Sequence, residues 1–163
     1  MNGINDRKGV SVDESQFIQQ LGGELGLPDL QFSEDLTARL VVGEDVVVDL
    51  EWNADTQTLH IYSALGHVGE ENAGLMREML SANLFGVGTT GAVLAIDDAQ
   101  REVVLCREFE TETLDVPRFA GQLKSFVERA AYWTERVASV SHSEDEDNAA
   151  VPDVPTGTDI LRP

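Results

Sequence analysis

Apolar residues recur along the chain with two different periods, and these periods predict three helices and five strands. A spacing of three or four positions places apolar side chains on one face of a helix, whereas a spacing of two places them on one face of a strand. In the clearest strand Val46, Val48 and Leu50 share one face. The helices are predicted at about residues 11–25, 70–85 and 115–140, and the strands at 36–42, 45–52, 58–64, 92–96 and 102–109.

The order of these elements, α-β-β-β-α-β-β-α, predicts an α+β domain in which three helices pack on an antiparallel sheet. We assign residues 11–140 to this domain, and residues 1–10, which are polar, are predicted to be a flexible leader. From residue 141 onwards the chain carries an acidic run and no core pattern. Because high charge with low hydrophobicity cannot offset the entropy of a free chain, residues 141–163 are predicted to be an acidic disordered tail.

Local signals mark the ends of the predicted helices. Ser11 and Glu14 have the spacing of a capping box, which predicts the start of the first helix, and Pro28 is expected to end it. Asp115 is the predicted N-cap of the last helix.

The glycine-rich stretch Gly86–Gly91 matches the pattern G-x-G-x-x-G of dinucleotide-binding loops. Such a loop must follow a strand and open a helix, so that the helix N-terminus faces the phosphates. Here the stretch follows a predicted helix and leads into a predicted strand, which is the reverse order. It therefore predicts a helix stop and a flexible link rather than a phosphate site.

The charge of the chain narrows the possible partners. The formal net charge is −19, with 11 Lys and Arg against 30 Asp and Glu, and such a field repels nucleic-acid phosphates and anionic lipid. The acidity favours a partner segment that is basic or at least not acidic, although a need to keep a sticky protein dispersed explains it equally well. The chain shows no signal-peptide pattern and no long apolar run, which predicts a cytoplasmic protein that does not insert into membranes.

No pattern of reactive side chains points to catalysis or to a metal site. The histidines at positions 60, 67 and 142 lack the spacing of metal ligands. Asp97 and Asp98 fit a hairpin turn, and Asp49 and Glu51 fit a solvated sheet face better than a catalytic carboxylate pair. Cys106 is the only cysteine, so it forms no internal disulfide and is expected to be a buried, inert thiol. The sequence predicts that the protein is not an enzyme and uses no cofactor.

Five short sequence blocks occur in an order and spacing that resemble one known family. Leu-Ser-Ala-Asn-Leu at residues 80–84 is followed by the stretch Gly86–Gly91 and by Ala-Val-Leu-Ala-Ile at residues 92–96. Upstream, Leu-Gly-Leu-Pro-Asp-Leu at residues 25–30 and Leu-Glu-Trp at residues 50–52 fit the same family. In these blocks the chain resembles the class I type III secretion chaperones, a Tir-chaperone-like family, over roughly residues 13–140.

The resemblance implies a cytoplasmic chaperone of a Gram-negative bacterium, which binds the N-terminal segment of a secreted effector in extended form. By the same resemblance the chaperone is expected to keep that segment soluble and secretion-competent, with release driven by the secretion ATPase. An alternative is a protein-interaction or regulatory module of the same fold without a role in secretion. The effector is expected to bind in a groove formed by apolar residues of the first helix, the first strand and the segment between them. These residues are Phe17, Leu21, Leu25, Leu27, Phe32, Leu36 and Leu40. The alternative for each of them is that it is an ordinary core residue.

The resemblance also implies a homodimer whose interface is built largely by the central helix and the strand that follows it. Part of this helix must instead pack on the sheet of its own subunit. The same apolar face is therefore needed both for the core and for the dimer interface. Two of its apolar residues are methionines, which adapt to uneven contact surfaces. The residues expected at the interface are Leu75, Met76, Met79, Leu80 and Val93.

Overall fold

The computed structural model describes residues 13–43, 46–69 and 72–148, with side chains described up to residue 140. The predicted α+β architecture, with its three helices and five-stranded antiparallel sheet, is confirmed, and the elements follow the predicted order. The helices are α1 (Glu14–Leu25), α2 (Ala73–Asn83) and α3 (Val116–Asn148), and the strands are β1 (Thr37–Val42), β2 (Val46–Asn53), β3 (Thr58–His67), β4 (Val93–Asp97) and β5 (Glu102–Glu110).

The strands form one sheet in the order β1-β2-β3-β5-β4, so β1 and β4 are its two edges. All four pairings are antiparallel. The alternation predicted for β2 is confirmed, because Val46, Val48 and Leu50 are buried on one face while Val47 is exposed on the other. The sheet therefore has one face that packs into the core and one that is more open to solvent.

Aromatic side chains hold the helices on the sheet. Phe17 of α1 is fully buried, and its ring lies 5.5 Å from that of Trp52 on β2 and 5.2 Å from that of Phe119 on α3. Trp133 of α3 is also buried, and its indole Nε1 donates a hydrogen bond to the Gly88 carbonyl at 3.3 Å. Replacing such a buried aromatic residue with alanine typically costs about 3–5 kcal/mol. These contacts fix α1, α3 and the loop after α2 relative to one another.

The caps of α1 differ from those predicted. Asp13 is the N-cap, because its carboxylate accepts a hydrogen bond from the Ser15 N–H at 3.0 Å. The predicted cap Ser11 lies outside the described residues. The helix ends at Gly26, whose left-handed backbone (φ 70°) stops it before Pro28 is reached.

Helix α3 begins as predicted and ends later. The Asp115 carboxylate accepts a hydrogen bond from the Arg118 N–H at 3.0 Å, which confirms the predicted N-cap. The helix runs to Asn148, so residues 141–148 are helical where disorder was predicted. Extending an existing helix adds one hydrogen bond per residue ordered, and this stretch contains no glycine or proline that would stop it. The remainder of the predicted tail, residues 149–163, and the predicted leader lie outside the described residues.

The glycine-rich loop after α2 is a hydrogen-bonded turn rather than the predicted flexible link. The Gly88 N–H donates to the Ala82 carbonyl at 3.0 Å, and the Gly91 N–H donates to the Gly86 carbonyl at 3.3 Å. Glycine is required at position 88, because a Cβ there would lie 2.6 Å from the Ala82 Cβ. The predicted helix stop is confirmed, since α2 ends at Asn83 and one 3₁₀ turn follows.

Candidate partner-binding surfaces

An apolar groove lies between the end of α1, strand β1 and the first half of α3. It has a volume of about 650 Å³. Leu40 and Leu123 are buried at its base, whereas Leu27, which follows α1, exposes 44% of its surface. Apolar surface gathered in a concave site marks a place where a ligand or partner docks. The remaining apolar residues of the groove are Leu25, Val42, Ala120 and Val127, and the charged residues around it are Glu24, Lys124 and Glu128.

Strand β1, which lines this groove, also carries a free sheet edge. At its first residue the edge is occupied, because the Ser33 N–H donates to the Thr37 carbonyl at 2.8 Å and the Thr37 N–H donates to the Ser33 hydroxyl at 3.2 Å. Alternate residues of a strand direct their backbone groups the same way, so those of Arg39 and Val41 also point away from β2. No residue of the described chain bonds to these outward groups. The edge is therefore open to an added strand.

A second apolar surface surrounds the C-terminal end of α2. Leu80 exposes 72% of its surface and Phe85 exposes 94%. Phe85 also has a left-handed backbone (φ 56°), which is uncommon for a bulky residue and often accompanies a functional position. A cluster of exposed large apolar side chains marks a contact site. We call this surface the α2 patch, and its members are Leu80, Leu84, Phe85, Val87 and Ile96.

A cleft between α2 and β4 adjoins the α2 patch. It has a volume of about 320 Å³, which is enough for one aromatic side chain. Its methionines can adapt to the shape of an inserted group, because their side chains are unbranched and flexible. The cleft is lined by Met76, Met79, Leu80, Leu94, Ala95 and Ile96.

Three of the residues predicted to bind an effector are residues of the groove. Leu25, Leu27 and Leu40 line the groove itself. Phe32 and Leu36 are partly buried and pack against the core. Leu40 of β1 is therefore brought next to Leu25 and Leu27 from the end of α1 in one concave surface.

Five of the predicted contact residues are buried in the core, and one of them, Leu40, also lines the base of the groove. Phe17 and Leu21 expose no surface, so a partner cannot reach them in this conformation, and they are core residues rather than groove residues. Leu75 and Met79 expose 2% and 4%, because this face of α2 packs on its own subunit. The centre of the apolar stripe of a helix packs on the sheet of its own subunit, and only residues at the margin of the stripe stay accessible to a partner.

The other residues predicted for the dimer interface have accessible surface. Leu80 belongs to the α2 patch, and Met76 lines the adjoining cleft. Val93 is about half exposed and lies on β4 opposite Cys106, on the open face of the sheet. Leu80 and Met76 therefore lie on the helix side of β4, whereas Val93 lies on the opposite face of the sheet.

Both surfaces contain residues that were not predicted. In the groove these include Val42 of β1 and Val127 of α3. In the α2 patch they are led by Leu84 and Phe85. An apolar pair placed directly before the glycine that stops a helix was the available sequence signal for this second set.

Among the residues whose side chains the structure describes, the reactive groups form no recognisable catalytic arrangement. Asp49 is held by Arg39 on the open face of the sheet, with two hydrogen bonds of 2.6 and 3.0 Å that raise the pKa of the guanidinium. Burial raises the pKa of the Cys106 thiol, although this residue is only partly buried, which corrects the expectation of a fully buried thiol. Within residues 13–43, 46–69 and 72–148 no cluster of potential metal ligands is present. In the same part of the chain no helix is long and apolar enough to cross a membrane.

The chain belongs to the Tir chaperone protein (CesT) family, because the model of that family matches residues 16–134. This confirms the resemblance inferred from the sequence blocks. The family and the fold are those of non-enzymatic secretion chaperones. No curated protein sequence matches the chain significantly.

Solved structures of secretion chaperones share the fold. A chain in the crystal structure of the ExsC–ExsE complex matches with a TM-score of 0.66 and 20% identity over 78% of this chain and 96% of that chain. A chain in the structure of the HopA1–SchA chaperone–effector complex matches with a TM-score of 0.64 and 17% identity, over 76% of this chain and 98% of that chain. The Yersinia pestis type III secretion chaperone SycH, solved with a fragment of YscM2, matches with a TM-score of 0.61 and 19% identity, over 74% of this chain and 99% of that chain.

Proposed function

We propose that this protein is a cytoplasmic type III secretion chaperone of a Gram-negative bacterium. It binds the N-terminal segment of a secreted effector in extended form and keeps that segment soluble and secretion-competent. The observation that carries the proposal is the apolar groove beside the open edge of β1, in a chain of the Tir chaperone protein family. The chaperone–effector complexes among the solved structures of the same fold support it.

The open edge and the groove suit an extended segment for a physical reason. A strand added to β1 bonds to the outward backbone groups of Arg39 and Val41, and these bonds do not depend on the segment's sequence. Its alternate side chains then point to the helix side of the sheet, where Leu27, Leu40 and Val127 line the groove. Backbone pairing therefore supplies general affinity, and the groove selects apolar residues at every second position.

The energetics require more than one anchor. Ordering a disordered segment costs about 2–5 kcal/mol of the gross interaction energy. Fully burying one large apolar side chain contributes about 1.5–3 kcal/mol. Two or three buried side chains of the segment are therefore needed to offset the ordering cost, and a groove of about 650 Å³ has room for them.

The charge of the chain adds a preference to this shape. With a net charge of −19, the protein attracts a segment that is basic or uncharged and repels an acidic one. Among the described residues that line the groove, Glu24 and Glu128 accompany Lys124. We expect the bound segment to carry basic residues flanking its apolar anchors, and the secretion ATPase to drive its release.

We further propose that the protein is a homodimer joined through the α2 patch. A two-fold interface uses the same surface on both subunits. In this arrangement the exposed ring of Phe85 enters the cleft between α2 and β4 of the second copy, where Met76 and Ile96 contact it. Leu75 and Met79 support the surface from inside the core rather than contacting the second copy through their full side chains.

The test begins with a pull-down from the source organism, read by mass spectrometry, and continues with the affinity of the captured effector's N-terminal segment. Leu27→Asp places a carboxylate in the groove, and burying it without a partner costs about 3 kcal/mol, which is more than a hundredfold in affinity. Val47→Asp is the matched control, because Val47 is an exposed apolar residue on the opposite face of the sheet.

We expect Leu27→Asp to abolish detectable binding and Val47→Asp to leave the dissociation constant within about twofold of wild type. Unchanged binding by a folded Leu27→Asp variant would show that the groove is not the effector site. Capture of no secreted protein, with full binding of a non-secreted partner, would favour the regulatory module instead.

A further inference from the structure

The two edges of the sheet differ in how their outward backbone groups are satisfied. On β1 the outward groups of Arg39 and Val41 have no partner in the described chain. On β4 the outward groups belong to Leu94 and Ile96, and those of Ala92 directly precede them. Exposed edge groups invite pairing with another strand, and proteins commonly block them. The β4 edge is blocked by Asn83 and Thr89 of the same subunit, as the hydrogen bonds around Leu94 and Ala92 show.

The side chain of Asn83, the last residue of α2, hydrogen-bonds to both backbone groups of Leu94. The Leu94 N–H donates to Asn83 Oδ1 at 2.8 Å, and Asn83 Nδ2 donates to the Leu94 carbonyl at 3.0 Å. A residue of a neighbouring antiparallel strand would exchange the same two bonds. Asparagine suits the position because its amide combines an acceptor and a donor, whereas aspartate offers acceptors only.

Thr89 bonds both backbone groups of Ala92, one through its own backbone and one through its side chain. The Ala92 N–H donates to the Thr89 carbonyl at 3.1 Å, and the Thr89 hydroxyl donates to the Ala92 carbonyl at 2.6 Å. Thr89 is fully buried, so water does not compete for these bonds. Among the described residues of this edge, only Ile96 keeps outward groups without a partner, and one residue is too short to seat a strand.

We infer that Asn83, together with Thr89, closes the β4 edge against strand addition, so that an extended segment can pair with this sheet only at β1. The excluded strand is one from a client or from a second copy of this chain. Closure also means that contacts at the neighbouring α2 patch are made by side chains and do not continue the sheet from one subunit to the next. That last consequence rests on the proposed homodimer, whereas closure of the edge does not.

The experiment removes the hydrogen bonds that cover the β4 edge by mutation, and it needs no client segment. Asn83→Ala removes both bonds to Leu94, and alanine favours the helical backbone that Asn83 already has (φ −67°, ψ −22°). Asn83→Asp keeps an acceptor for the Leu94 N–H and places a charge on the edge, which discourages strand pairing. Asn53→Ala is the matched control, because the Asn53 side chain also binds two backbone N–H groups, at 3.0 and 3.1 Å, in a turn away from both edges.

Hydrogen exchange of the Leu94 amide and sedimentation velocity over a range of concentrations are measured for each variant. We expect Asn83→Ala to exchange Leu94 roughly tenfold faster than wild type and to form species larger than wild type as concentration rises. Asn83→Asp and Asn53→Ala should keep the wild-type mass.

Three results would overturn the inference. The first is unchanged exchange at Leu94 in Asn83→Ala, and the second is faster exchange without larger species. The third is equal assembly of all three variants, which would point to general destabilisation. If Asn83→Ala does not fold, Asn83→Ser replaces it, because the shorter hydroxyl side chain cannot bridge both groups of Leu94.

Discussion

Gly22 and Gly23 are neighbours in α1, yet alanine should have opposite effects at the two positions. A Cβ at Gly22 would lie 2.6 Å from the Leu27 carbonyl oxygen and 3.3 Å from the Leu30 Cβ, whereas a Cβ at Gly23 meets nothing within 4 Å. The close approach at Gly22 arises because its carbonyl accepts a hydrogen bond from the Leu27 N–H at 2.7 Å. This bond folds the chain after α1 back onto the helix and positions Leu27 at the groove.

The expected magnitudes follow from these distances. Glycine inside a helix is less favourable than alanine by about 1 kcal/mol, so Gly23→Ala should raise the free energy of unfolding by about 0.5–1 kcal/mol. Gly22→Ala gains the same helix term but must displace a backbone oxygen, and such overpacking costs about 1–3 kcal/mol. The net effect at Gly22 is a loss of about 1 kcal/mol, which separates the two variants by roughly 2 kcal/mol.

Urea unfolding followed by tryptophan fluorescence measures this difference, because Trp52 and Trp133 are both buried in the native state. Gly22→Ala should also weaken effector binding, since the turn that carries Leu27 must shift, while Gly23→Ala should bind as wild type does. Equal stabilisation by both alanines would refute the reasoning, because it would mean that the turn after α1 does not pack on Gly22.

Three further variants or reactions test other parts of the structure. Phe85→Gly relieves a left-handed backbone that costs a non-glycine residue about 1–2 kcal/mol, so it should stabilise the subunit while sedimentation shows a monomer; a dimer of wild-type affinity would place the interface elsewhere. Trp133→Phe loses the hydrogen bond to Gly88 and should lower the free energy of unfolding by about 1–2 kcal/mol, whereas no loss in urea unfolding would show that the loop is held by other contacts. The raised pKa of Cys106 lowers its thiolate fraction at neutral pH, so iodoacetamide should modify it more slowly than a free cysteine, and faster modification would contradict the burial that raises the pKa.

The sequence periodicity predicted the elements and the sheet class because each buried face repeats over many residues. The α2 stripe shows where this reasoning ends. Leu75 and Leu80 are equally apolar and lie on the same helix, but Leu75 is buried in the subunit and Leu80 is exposed. Periodicity identifies an apolar face, whereas the width of that face covered by the sheet depends on how the helix is placed against β4.

The groove could be predicted only in part, for a related reason. Leu27 follows α1, Leu40 lies on β1 and Val127 lies on α3, so their proximity depends on the packing of α1 and α3 on one sheet. Phe17 resembles these residues in the sequence, but its ring fills the space between Trp52 and Phe119 and so belongs to the core. Long-range packing, rather than local pattern, decides which apolar residues remain for a partner.

Individual polar contacts could not be predicted from the sequence, for a different reason. Asn83 was noted as part of a sequence block, yet its bonds to Leu94 require the end of α2 to lie beside β4. The turn at Leu27 likewise depends on the missing side chain of Gly22. Such contacts have no period, so only the assembled structure reveals them.

Hydrogen exchange of the wild-type protein with and without its effector segment tests the central claim most directly. The account predicts that binding slows exchange of the Arg39 and Val41 amides, whose outward N–H groups an added strand would occupy, and leaves the already bonded Leu94 amide unchanged. Binding that leaves the β1 amides unprotected, or that protects only the α2 patch, would contradict strand addition beside the groove.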